Sequence, residues 1–158
     1  MIGKTVSHYS ILEKLGEGGM GVVYKAKDIT LNRLVALKFL PARFADSEDE
    51  RLRFLQEARA ASALNHPNVA TIHEIAEAEG ETFLVMEYVD GDTLRAKRAA
   101  GLLSGKEIVQ IAIQSADAIQ KAHENEIIHR DIKSENIMVT SDGRVKVMDF
   151  GLARLRGG

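Results

Sequence analysis

Three features of the 158-residue sequence predict an α+β fold. Short alternating apolar runs, separated by Gly-rich or Asp/Asn-bearing turns, fill roughly the first 90 residues. From Asp92 onward the pattern changes to helical periodicity. The early runs lie too close together for a helical crossover between every pair, so they pair antiparallel.

Taken in order, the predicted strands are "YSILEKL", "GVVYKAKD" and "RLVALKFL". A helix follows. Asp46 or Ser47 caps it, and Glu48, Asp49 and Glu50 suit the positive end of its dipole. Asn65-His66-Pro67 ends it. Two more strands, "VATIHEIAEA" and "TFLVMEYV", turn at Glu79-Gly80-Glu81. A short helix covers "TLRAKRAA", and a long one runs from Ser104 to Asn125, with Ser104 and Glu107 at capping-box spacing. The long helix carries its polar groups, Glu107, Gln110, Gln114, Asp117 and Lys121, on one narrow stripe. A helix apolar around most of its girth expects neighbours on several sides. "NIMVTSDGRVKVMDF" then reads as a hairpin turning at Ser141-Asp142-Gly143.

Composition excludes several classes. A net charge of −2 leaves no electrostatic footprint for nucleic acid or an anionic membrane surface. The absence of cysteine removes disulfides, thiolate nucleophiles and Cys-based metal sites. No apolar run approaches the ~18 residues of a membrane span, and the opening "MIGKTVSHYS" lacks a signal-peptide core. The expectation is a cytoplasmic protein with no membrane segment in this chain.

Four constellations carry chemistry. Gly16, Glu17, Gly18, Gly19, Met20, Gly21 and Val23 lie between two strands. Glycines there let backbone N–H groups approach phosphate oxygens. No helix opens after Gly21, which argues against a Rossmann fingerprint and for a flap over a nucleotide. Lys38 sits in the apolar "VALKFL" with Ala36 and Leu40 on its face, so its charge needs an anion. Glu57, on the stripe of Phe54, Ala58, Ala61 and Leu64, is the expected partner. In "IIHRDIKSENIMV", Asp131 offers a carboxylate to a hydroxyl proton, Asn136 an amide oxygen to Mg²⁺, and Lys133 a charge to a phosphoryl group. His129 reads as a packing residue and not a base. Asp149, at a strand end, gives Mg²⁺ a second oxygen.

In this order, Gly16-x-Gly18-x-x-Gly21-x-Val23, Val35-Ala36-Leu37-Lys38, Glu57, His129-Arg130-Asp131 with Asn136, and Asp149-Phe150-Gly151 resemble the protein-kinase signature set. The wording is most similar to the bacterial branch of the eukaryotic-type Ser/Thr kinases. Lys133, two residues after Asp131, is the family's mark for serine/threonine acceptors. The resemblance implies a five-stranded antiparallel N-lobe with one helix over about 1–87, a hinge at 88–92, and a partial, mainly helical C-lobe over 93–158. It also implies ATP and Mg²⁺ as cofactors and a protein substrate. Lys38 would hold the ATP phosphates and Glu57 would orient it. Asp131 would be the base, Lys133 a γ-phosphate contact, and Asn136 and Asp149 the metal ligands. Val23, Ala36 and Met138 would sandwich adenine, Met86 would stand as gatekeeper, and the backbone of Glu87 and Val89 would meet the adenine edge.

The family pattern continues past Asp149-Phe150-Gly151, whereas "FGLARLRGG" closes this sequence without Ser, Thr or Tyr for Arg130 to meet once phosphorylated. The expectation is therefore an incomplete kinase domain. Leaving three or four aliphatic side chains of the long helix in water forfeits on the order of 5–10 kcal/mol at ~1.5–3 each. That is comparable with a typical domain's whole stability of about 5–15 kcal/mol. The chain is expected to be marginally stable, sticky or self-associating through this surface. The alternative to an active Ser/Thr kinase is an ATP-Mg-binding fragment or interaction module that transfers no phosphate.

Overall fold

The computed structural model describes residues 1–19, 21–101 and 103–150. Met20, Leu102 and the closing stretch from Gly151 lie outside the described residues. The chain divides into two compact units. Of the described residues, one holds Met1–Ser62 and Ile72–Tyr88; the other holds Ala63–Thr71 and those from Val89 to Phe150.

The first unit is a six-stranded antiparallel sheet in the order β1-β2-β3-β4-β6-β5. Its strands are β1 (Thr5–Val6), β2 (Tyr9–Gly18), β3 (Gly21–Asp28), β4 (Arg33–Phe39), β5 (Ile72–Ala78) and β6 (Glu81–Glu87). Five of them are the expected strands. The sixth, β1, is a two-residue pairing of Thr5 with Ser10 and Val6 with Tyr9, too short to leave a sequence period. The β5–β6 hairpin turns at Glu79 and Gly80, both at positive φ, as a two-residue turn matching the twist of its strands requires. Val6, Tyr9, Ile11, Ala26, Val35, Leu37, Phe39, Phe83 and Val85 form the core on one sheet face. There Phe39 stacks on Phe83, with ring centroids 4.9 Å apart. The Tyr9 hydroxyl donates to Glu74 Oε2 at 2.7 Å, which satisfies the polar tip of a buried ring.

Helix α1 (Glu48–Ser62) begins as expected, with Ser47 Oγ accepting from the Glu50 N–H at 3.4 Å. A short 3₁₀ turn at Ala42–Ala45, unassigned from sequence, precedes it. Phe54, Ala58 and Ala61 are buried, as the apolar stripe demands, and so is Leu64 beyond the helix.

The second unit contains β7 (Gly91–Thr93), α2 (Leu94–Ala99), α3 (Gly105–Glu124), β8 (Ile137–Thr140) and β9 (Val145–Val147). The capping box at Ser104 and Glu107 forms in full. β7 falls where a hinge was expected and pairs with β8 as the edge of a three-stranded sheet. Gly91 is required there, because a Cβ would stand 2.4 Å from the Val139 carbonyl oxygen.

Segment Ala63–Thr71, assigned from sequence to the first lobe, joins the second unit through β9. Val69 bridges Val147, Val147 N–H donates to Asn68 O at 2.8 Å, and Ala70 N–H donates to Val147 O at 3.0 Å. Gln114 ties α3 to the same hairpin. Its Oε1 accepts from Asn68 Nδ2 at 3.0 Å and Val145 N–H at 2.9 Å, while its Nε2 donates to Gly143 O at 3.0 Å. The polar stripe of α3 therefore faces structure at Gln114. The aliphatic side chains Ile108, Val109 and Ile113 are 53%, 55% and 50% exposed.

Candidate active site

The strand register of the first unit sets out one group of predicted residues. Directly opposed residues share a face and alternate residues along a strand do too. Val23 opposes Lys38, and Ala36 opposes Met86. Val23, Ala36, Lys38 and Met86 therefore line one face of the sheet, opposite the aromatic core. Ala36, Lys38 and Met86 are buried there, with Lys38 only 4% exposed.

Beside this face runs the glycine hairpin, and its glycines divide into two kinds. Gly21 is structural: its φ is +106°, and a Cβ would lie 1.8 Å from Phe39 O. Gly16, Gly18 and Gly19 have no such reason, since a Cβ on any of them meets nothing within 4 Å. Their bare backbone opens onto space that no described residue occupies within 4 Å of a Cβ built there, which is the shape a phosphate cradle needs. Arg43 Nη2 donates to Gly19 O at 3.0 Å, a brace on the loop that no sequence pattern signals. Glu17 forms an ion pair with Lys14 on the same hairpin, and Met20 lies outside the described residues.

Glu57 does not meet Lys38. Its Oε2 is buried without a hydrogen-bond partner, and no ion pair joins the two residues. Lys38 is engaged, but not by Glu57. The apolar stripe correctly turns Glu57 inward. Pairing also depends on how far the helix is translated and rotated over the sheet, which periodicity does not specify.

In the second unit, three predicted residues meet. Asn136 Nδ2 donates to Asp131 O at 2.8 Å and to Asp131 Oδ2 at 3.1 Å. Lys133 Nζ stands 3.4 Å from the same Oδ2. Asn136 thus commits its amide nitrogen to Asp131, and its amide oxygen has no hydrogen bond among the described residues. Asn136 O accepts from Met148 N–H at 2.8 Å, which fixes the residue preceding Asp149 against this cluster.

His129 locks the base of the loop and is buried. Its Nδ1 accepts from Asp131 N–H at 3.1 Å, so the ring proton is on Nε2, which donates to Met148 O at 2.6 Å. Its ring also packs edge-on to Phe150 at 4.7 Å. Burial holds the imidazole below its ordinary pKa, against the smaller raising effects of the Met148 carbonyl, Asp149 and Asp131. His129 is therefore a neutral positioning residue, in agreement with its reading from sequence. Arg130 and Asp149 both adopt positive φ, 68° and 59°. Non-glycine residues persist in that conformation where their surroundings over-determine it, and such residues gather at functional sites.

Of the remaining predicted residues, Glu87 ends β6 in the first unit. Val89 and Met138 belong to the second, where Met138 opposes Thr93 and Lys146. Among the described residues no three His, Cys, Asp or Glu side chains cluster as a metal site. A cation held by one carboxylate, one amide oxygen and phosphate oxygens requires no such cluster.

The antiparallel sheet with its glycine hairpin, and the loop that carries Asp131 ahead of a hairpin ending in Asp149, are the elements by which the chain is assigned to a class. Residues 9–157 match the protein kinase domain family, and the chain belongs to it. It is 45% identical over 155 residues to the serine/threonine-protein kinase PrkC of Bacillus subtilis, a match covering 97% of this chain and 24% of that protein. It is 43% identical over 151 residues to the serine/threonine-protein kinase PknB of Mycobacterium tuberculosis, covering 92% and 24%. The crystal structure of the Mycobacterium tuberculosis PknI kinase domain superposes with a TM-score of 0.84 at 31% identity, covering 97% of this chain and 62% of that one. The chain thus spans about a quarter of the length of the curated relatives it matches.

Proposed function

We propose that this chain binds ATP with Mg²⁺ and transfers the γ-phosphoryl group to serine or threonine hydroxyls of a protein. The observation that carries this is Asp131, whose carboxylate is held by Asn136 and approached by Lys133 at 3.4 Å. Such a carboxylate is oriented to receive a hydroxyl proton, and the lysine beside it carries the charge that a transferring phosphoryl group requires.

The residues present fit the cofactor. The open backbone at Gly16, Gly18 and Gly19 suits the phosphates, and the Asn136 amide oxygen with the Asp149 carboxylate suits a hard cation. Bound magnesium supplies charge neutralisation on the phosphates. Lys38 binds phosphate oxygens, and Val23, Ala36 and Met138 contact adenine, with Met86 as gatekeeper. The backbone of Glu87 and Val89 hydrogen-bonds the base. Asp131 orients the acceptor hydroxyl and accepts its proton, while Lys133 steadies the phosphoryl oxygens.

A second reading, nucleotide binding without transfer, is favoured by one observation: Glu57 Oε2 is buried without a hydrogen-bond partner and does not reach Lys38. Incubation with γ-labelled ATP and a mixed Ser/Thr protein acceptor separates the two readings. Label on Ser/Thr that disappears in Asp131→Asn supports transfer. ATP binding with no label in the wild type supports the module.

The catalytic reading places the protein in the cytoplasm, where ATP is abundant. No helix of the described residues is long and apolar enough to cross a membrane. The exposed aliphatic face of α3 is the surface proposed for self-association.

A further inference from the structure

The tip of the glycine hairpin is held from outside its own two strands. Gly18 pairs with Gly21 as the last rung of the β2–β3 ladder, and Gly19 lies beyond it. Glycine loses more conformational freedom on ordering than any other residue. Gly16, Gly18 and Gly19 have no side chains to pack, and a Cβ on any of them would meet nothing within 4 Å. Beyond the ladder, the tip is tied by Arg43, whose Nη2 donates to Gly19 O at 3.0 Å from 24 residues along the chain.

The foot of this brace is fixed. Arg43 belongs to the 3₁₀ turn Ala42–Ala45, closed by Phe44 N–H to Pro41 O at 3.0 Å and Asp46 N–H to Arg43 O at 3.2 Å. Phe44 is buried and packs against Phe54 of α1, with ring centroids 6.0 Å apart. The Arg43 guanidinium stands 5.3 Å from the Phe44 ring centroid. A planar guanidinium seated by an aromatic ring is pre-organised, so it loses less freedom for each bond it makes. Arg43 itself is exposed, and exposed polar contacts of long side chains add little to the stability of a fold. Its effect therefore falls on the loop tip.

We propose that Arg43 is a positioning residue for ATP, whose bond to Gly19 O holds the glycine loop in the arrangement that receives the phosphates. The proposal rests on the nucleotide reading of the loop and adds to it a residue that none of the signature motifs contains. A loop ordered in advance has less freedom to lose when the phosphates arrive, and the difference appears as affinity. Adenosine, which has no phosphate, gains nothing from the brace.

The test is calorimetric titration of the whole chain with Mg-ATP and, separately, with adenosine. Wild type is compared with Arg43→Ala, Arg43→Lys and Arg53→Ala. Arg53 is exposed on α1, and its loss removes the same charge with no bond to the loop among the described residues. Arg43→Ala should weaken ATP binding about three- to tenfold, the worth of one hydrogen bond, and leave adenosine affinity unchanged. Arg43→Lys, which keeps a charge and a donor but not the fork, should fall between wild type and Arg43→Ala. Arg53→Ala should bind ATP as wild type does. If Arg43→Ala melts lower than wild type, Arg43→Met, which keeps the aliphatic stem, takes its place with the same loss expected. ATP affinity that is unchanged or tighter in Arg43→Ala, an equal loss for adenosine, or the same loss in Arg53→Ala would overturn the proposal and leave the nucleotide reading standing. A folded wild type that ignores ATP would overturn that reading, and the proposal with it.

Discussion

Asp131 and His129 show how closely chemistry and support are spaced in this loop. One bond from Asn136 Nδ2 orients the Asp131 carboxylate; its bond to Asp131 O and the bond from Asp131 N–H to His129 Nδ1 fix the backbone. Asp131→Asn should retain ATP binding and lower phosphoryl transfer by about 10²–10⁴-fold, the usual contribution of a general base. His129 makes a different prediction, because its folded-state pKa lies below the ordinary value. Above about pH 6.5 the ring is neutral in both folded and unfolded chains. As pH falls below that value the unfolded chain takes up a proton that the buried ring resists, so stability declines toward the folded-state pKa. The melting temperature should drop between about pH 7 and pH 5, and His129→Leu should flatten that slope while melting lower throughout. An unchanged slope in the variant would assign the pH dependence to other groups.

Among the elements, the glycine hairpin gives the sharpest contrast. Gly21→Ala puts a methyl group into Phe39 O and strains a positive φ, so it should destabilise the first unit by about 1–3 kcal/mol. Gly18→Ala meets nothing and should leave the stability within about 1 kcal/mol of wild type while weakening ATP binding. Paired melts and nucleotide titrations check both. Gln114→Ala should orphan the buried ends of the α3–hairpin network, at about 1–3 kcal/mol for each group left unpaired.

The same elements show what the sequence discloses. The five longer strands and the α3 cap are legible because period-two runs and the Ser104/Glu107 spacing are local signals. β7 is not, since Gly91-Asp92-Thr93 has no apolar period and takes its strand form from β8, more than forty residues on. The Asp131, Lys133 and Asn136 cluster is legible as spaced residue types within one loop, whereas the Arg43 brace and the absence of a Lys38–Glu57 ion pair depend on tertiary placement alone.

For the whole molecule, the exposed face of α3 bears on behaviour in solution. Ile108, Val109 and Ile113 form a contiguous aliphatic patch at helical spacing, of the kind that marks contact surfaces or aggregation liabilities. The chain should bind a hydrophobic dye and associate with rising concentration, and Val109→Lys/Ile113→Lys should reduce both without lowering the melting temperature. A dye-silent monomer would show that this face is covered.

The most direct measurement of the nucleotide site is calorimetric titration of the whole chain with ATP, with and without Mg²⁺, beside Asp149→Asn. Binding that requires Mg²⁺ and weakens in the variant is the expected result, with the Asn136 amide oxygen and the Asp149 carboxylate sharing the cation. A soluble, folded chain that ignores ATP, or binds it equally without Mg²⁺ and with Asn at 149, would contradict it.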